Sequence, residues 1–211
     1  MAATADFEAR DRDRDLMIDA KARAASIEQL IVDQHGIPSP LVREYAVLQI
    51  RMLCEIIGLA CLVAHGDLVA SGPAHLRKAY APGEIFAALG DMHDDFYPVP
   101  IVPQLVAPGW HMAEYDGPPF LKREEVKGLW DRCGGDLHKG SLKRLLKPNN
   151  PLQTNFADIN ESLGKILNLL GNHRMLRKDR KIAFIAMLSN AAGAVQVEIG
   201  EAIEPEDTAG D

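Results

Sequence analysis

Residues 39–63, SPLVREYAVLQIRMLCEIIGLACLV, decide how the rest of the chain is read. Ser39-Pro40 opens a helix in the favoured order, a cap and then proline in the first turn. Up to Arg51 the segment is polar on one side. From Met52 to Val63 it is almost wholly apolar, so its second half is expected to be buried all round as the central rod of a helical core. Cys54 and Cys61, two turns apart, then read as small buried hydrophobes. Glu55 interrupts the apolar run, and Arg51 one turn earlier is the partner expected to neutralise it, ahead of an active-site role.

Working outward, Leu16, Ala20, Ala24, Ile27, Leu30 and Ile31 recur at helical spacing between Asp13 and Gln34. His35-Gly36-Ile37-Pro38 stops that helix. Two short helices are expected over 73–80 and 83–90. Between Met92 and Phe120 lie six of the thirteen prolines and the aromatic residues Phe96, Tyr97, Trp110, Tyr115 and Phe120. Proline disfavours helix and central strand, so this stretch is expected to be a long irregular loop, with room for a hairpin at Pro108-Gly109. Its rings either pin it to the core or stack on nucleic-acid bases. Helix resumes near Arg123, with Val126, Trp130, Cys133 and Leu137 on one face. Another begins at Asp158, where Glu161 completes a capping box, and its core stripe is Ile159, Leu163, Ile166 and Leu170. Ile182–Leu188 and the alternating Val195, Val197 and Ile199, joined by the turn residues 189–193, predict a hairpin.

The expected fold is therefore mainly α: a helical bundle with a proline-rich loop and a small C-terminal β-hairpin. It reads as one domain over 1–211, made of a helical half (1–91), the loop (92–120), a second helical half (121–173), the hairpin (174–201) and an acidic tail (202–211).

The composition narrows function. The chain has 211 residues, is 47% hydrophobic and 25% charged, and carries a formal charge of −7. Those values fit a globular protein and argue against whole-surface attraction to nucleic acid or anionic lipid. The longest apolar run, Ile56–Ala64, falls short of the roughly twenty residues of a bilayer span, so no membrane association is expected. The charged start at Glu8–Asp15 lacks the core of a secretory signal, and three cysteines make neither a disulfide framework nor a zinc quartet. Both point to the cytoplasm. Two basic segments stand against the acidic background. Lys139, Lys143, Arg144 and Lys147 form the first, and 174–181 the second; either suits a phosphate strip or a solvated turn.

The most specific chemistry lies in WDRCGGDLHKGS, residues 130–141. Imidazole exchanges a proton near neutral pH, and guanidinium holds phosphate, so His138 and Arg132 suit metal-free RNA cleavage. Six residues apart on an ideal helix, their side chains diverge by about 120°. Gly134-Gly135 could bend or end the helix and let them converge, or the pair could act across two copies. The alternative is structural: Arg132 pairs with Asp136, and His138 closes the helix end. A third reading takes Asp91, His93, Asp94 and Asp95, with His111, as metal ligands, although the spacing fits no ligand pattern. Ser141 beside His138 is too local to imply a hydrolase triad.

An arginine, five residues and a histidine on a helix in a helical bundle resembles the HEPN superfamily (higher eukaryotes and prokaryotes nucleotide-binding domains). The resemblance implies a homodimer through helices and a shared cleft that cleaves RNA without a metal or other cofactor. Arg132 would be its phosphate-binding arginine and His138 its catalytic histidine, with Lys139, Lys143, Arg144 and Lys147 as further RNA contacts. Other members bind or scaffold without catalysis, which keeps a non-catalytic interaction protein with a protein partner as the alternative. A metal-dependent hydrolase stands third.

Overall fold

The computed structural model describes residues 2–106, 109–138 and 154–201. Within them the chain is mostly helical and carries one small antiparallel sheet.

Helix α1 (Ala2–Val32) starts well before the apolar stripe and runs through the alternating acids and bases. Arg12–Glu8, Arg14–Asp11 and Arg23–Asp19 pair along its surface at 3.0–3.6 Å. Its inner face is Asp13, Met17, Ala20, Ala24 and Ile27, spaced four and three residues apart, and all are buried. The expected Leu16 and Leu30 sit half-buried at its margins. His35 and Gly36 then take φ of 48° and 77°, the left-handed turn that reverses the chain.

Helix α2 (Ser39–Ala64) is the central rod, packed against α1 and every later helix described below. Ser39 does not cap it; its hydroxyl donates to Gln34 Oε1 at 2.8 Å. The amides of Leu41 and Val42 donate instead to the Pro38 carbonyl. Among the described residues α2 is the one helix long and apolar enough to cross a bilayer, which the run-length argument had excluded. In this fold 61% of its most apolar window is buried within the protein.

Helix α3 (Gly66–Ser71), a 3₁₀ turn (Ala74–Lys78) and α4 (Pro82–Gly90) follow. Next come strands β1 (Val99–Val106) and β2 (Gly109–Glu114), then α5 (Arg123–Leu137), α6 (Ala157–Leu170), β3 (Asn172–Leu176), β4 (Ile182–Met187) and β5 (Gln196–Glu201). The five strands order as β2-β1-β3-β4-β5, every pair antiparallel.

Two expectations are corrected here. The proline-rich segment is not an irregular loop, because its middle is the β1–β2 hairpin. Proline fits because β1 has a neighbour on one side at a time: β3 opposite Val99 and Pro100, β2 opposite Ile101–Val106. Each half is therefore an edge strand, the setting that tolerates a missing N–H. The C-terminal hairpin is likewise the outer part of a larger sheet, since β3 precedes it and joins it to β1. The fold is thus a helical assembly with a five-stranded sheet, not a bundle with a hairpin.

Most of the buried apolar side chains form one cluster from Met17 of α1 to Val197 of β5, with Val42 and Ile101 outside it. The stripe of α6 is buried as expected, with Leu169 added, and Leu129 joins Val126 and Cys133 on α5. Asp158 is not the cap of α6. Its carboxylate takes both arms of the buried Arg43 guanidinium, at 2.5 and 2.7 Å, tying α6 to α2 and holding the acid below its ordinary value. The cap position is Phe156, which offers no side-chain acceptor, and Asn155 before it accepts the Ala157 amide at 2.8 Å.

Candidate functional site

The end of α5 is fixed from α2. Arg51 and Glu55 approach to 3.5 Å, the pairing expected from the sequence, and Glu55 also accepts the Trp130 indole N–H at 2.8 Å. The Arg51 guanidinium lies 3.7 Å from the centre of the Trp130 ring. Its Nη1 occupies the space a Cβ at Gly134 would need. That glycine therefore serves close packing of α2 on α5, and the helix runs unbroken through Gly134-Gly135 to Leu137.

Arg132 and His138 both stand exposed on this anchored end. Neither side chain makes a hydrogen bond or ion pair with another described residue, so the Arg132–Asp136 bridge expected by the structural reading does not form. His138 leaves the helix with φ −83° and ψ 133°. Its φ stays near the helical value and only ψ departs, which redirects the chain after His138 and not its ring, so the divergence of about 120° from Arg132 within one chain is not relieved by a glycine bend or by the helix end. Arg132 borders a gap of about 60 Å³ between α2, α5 and α6, shared with Asp136 and Asp158. A ribose-phosphate does not fit there, so a substrate would meet Arg132 from the open surface. Cys133 turns inward, and burial pushes its thiol up to about 11, which keeps it protonated and unreactive at neutral pH. Lys139, Lys143, Arg144 and Lys147 lie outside the described residues.

The metal reading finds no support in the geometry. His93 is buried, with its Nε2 2.9 Å from the Leu176 carbonyl and its ring edge-on to His65 at 5.2 Å. Asp95 pairs with Arg180, and His111 is exposed on β2. Among the described residues no three His, Cys, Asp or Glu side chains gather as a metal would require.

Sequence reasoning missed several buried polar groups. His65 and His173 are at most 1% exposed, and burial lowers each to about 4. Asp13 is 0% exposed, neither of its oxygens has a hydrogen-bond partner, and burial raises it to about 7. The position of Asp13 in the four-three stripe of α1 is the one sequence signal that could have found it. A second surface was also missed: a cleft of about 460 Å³ at the other end of α5, bordered by Lys122, Arg123, Arg174 and Arg180.

Fold and surface together define a mixed helical and β-sheet protein with an exposed arginine and imidazole, neither side chain paired with a described residue, at one helix end. Compared with known proteins, the chain matches no family model, no curated protein and no solved structure.

Proposed function

We propose that the protein acts on RNA at the C-terminal end of α5, as a HEPN-like, metal-independent endoribonuclease. The observation that carries this reading is the shared freedom of Arg132 and His138: both are exposed and neither is committed to another described residue. In the reaction, His138 accepts the proton of a ribose 2′-hydroxyl as that oxygen attacks the adjacent phosphorus. The bond to the 5′-oxygen breaks, and the imidazolium returns the proton to the leaving oxygen. Arg132 holds the non-bridging oxygens as their charge rises. The basic residues 139–147 follow directly along the chain and supply further phosphate contacts.

Cleavage of single-stranded RNA in excess EDTA tests the reading. Wild-type protein is expected to cut, and His138→Ala to lose activity with its circular dichroism unchanged. Equal cleavage by the variant would refute the assignment.

A second reading, a non-catalytic interaction protein, draws on a different observation. Ile18, Val32, Ile37, Leu41 and Leu48, on or between α1 and α2, are 41–88% exposed. A chain that cuts no RNA, yet sediments as a dimer that Leu41→Lys and Leu48→Lys dissociate, would favour it.

A further inference from the structure

Two clefts among the described residues differ in how their charges are satisfied. The larger, about 880 Å³ between the start of α1, the end of α2 and α3, is bordered by Arg12, Arg77 and Arg177. Each already has a partner: Glu8 at 3.6 Å, the Ala70 carbonyl at 3.0 Å and Asp6 at 2.7 Å. The smaller cleft, at the N-terminal end of α5, holds cations that form no ion pair with a described residue.

Four cationic side chains from three parts of the fold border this smaller cleft. Arg180 is taken by Asp95. Arg123 lies 3.7 Å from Glu124, donates to the Asp94 carbonyl at 3.3 Å, and sits over the Phe96 ring. Lys122 and Arg174 are exposed and form no ion pair with a described acid, although the Lys122 amide and then the Lys165 and Lys122 charges help hold the Glu125 carboxyl below its ordinary value. Arg174 is held on strand β3 directly opposite Val99 of β1, so the two side chains share a face of the sheet. Val99 is 47% exposed there, and Tyr97 and Phe120 continue the apolar wall. The first turn of α5 adds its positive dipole end to the same space.

We propose that this cleft binds a small organic phosphate, its phosphate held by Arg174 and Lys122 and its organic part laid against Tyr97, Val99 and Phe120. The volume falls within the range of small-ligand pockets, roughly 300–1,000 Å³, and accommodates a nucleotide. Arginine on a rigid strand suits a two-pronged grip on phosphate, and lysine adds a mobile point charge. Asp94 also lines the cleft without a cation of its own. Its charge favours a monophosphate over a di- or triphosphate. This site is independent of the RNA-cleavage reading. It lies about 22 Å along α5 from His138, fifteen residues at the helical rise.

Calorimetric titration of the full chain with adenosine 5′-monophosphate, adenosine, adenosine 5′-triphosphate and inorganic phosphate tests the proposal. The monophosphate is expected to bind at least tenfold more tightly than adenosine, inorganic phosphate or the triphosphate. Arg174→Gln is expected to weaken it at least tenfold, Lys122→Gln severalfold, and the distant Lys78→Gln not at all. Inorganic phosphate binding as tightly as the nucleotide would overturn the apolar wall. A triphosphate preferred to the monophosphate would overturn the role of Asp94. No monophosphate binding at millimolar concentration, or binding indifferent to Arg174→Gln in a folded variant, would overturn the site.

Discussion

The Arg51 guanidinium lies 3.7 Å from the centre of the Trp130 ring, with its Nη1 against the bare Cα of Gly134. This contact locks the central rod to the helix that carries Arg132 and His138, and it gives two neighbouring glycines opposite fates. A Cβ at 134 overlaps the guanidinium, whereas a Cβ at 135 meets nothing within 4 Å. Gly134→Ala is expected to destabilise by about 1–2 kcal/mol and to change the Trp130 fluorescence. Gly135→Ala is expected to stabilise by about 0.5–1 kcal/mol through helix propensity. Denaturant unfolding of the two variants checks both; the same sign for both would contradict the packing role.

Asp13 makes the α1–α2 seam sensitive to alkali. Its folded value of about 7 lies above the ordinary 3.8, so its contribution is fully favourable below pH 3.8 and is lost as pH rises to about 7. Above that, ionising it in place costs up to about 4 kcal/mol. The groups facing it include the Cys61 thiol of α2, which burial keeps protonated. Asp13→Leu should therefore gain more stability over wild type at pH 8 than at pH 4, by a few kcal/mol. A gain independent of pH would show that the carboxyl escapes to solvent.

The buried histidines act in the opposite direction. His65 and His173 titrate near 4 when folded and near 6.5 when unfolded, so stability is present above pH 6.5 and falls as pH drops towards 4. Each contributes about 3 kcal/mol to that fall. His173→Leu should remove one share, making the variant's unfolding free energy less dependent on pH between 7 and 4.5. An unchanged slope would contradict the neutral, buried ring.

These groups mark where reading the sequence stopped. The stripes of α5 and α6 were legible because burial there follows a helical period, and α2 was legible from its apolar run, although Met52, Leu59, Leu62 and Val63 stay half-buried on one face where burial all round was expected. Strand β3 was not, because Asn172 and His173 read as the end of a helix and Arg174 and Arg177 as a solvated turn. Strand β1 was hidden by Pro100 and Pro103, which an edge position excuses. At the candidate site, the types and spacing of Arg132 and His138 were legible. Their lack of a described partner was not, because the spacing of Arg132 and Asp136 offers a pairing that the structure does not form. The cleft at the start of α5 joins residues 94, 122 and 174, a proximity that only the sheet creates.

A site shared by two copies makes a distinct prediction. Mixing Arg132→Ala with His138→Ala chains should restore about a quarter of wild-type cleavage, since half the dimers are mixed and each then holds one intact pair. A site complete within one chain recovers nothing.

The most direct test of the RNA reading compares one labelled oligoribonucleotide with its fully 2′-deoxy counterpart, both in EDTA. Wild-type protein should cut the ribose strand alone and leave a 2′,3′-cyclic phosphate, while His138→Ala cuts neither. A wild-type protein that leaves both strands intact, or cuts both alike, would contradict it.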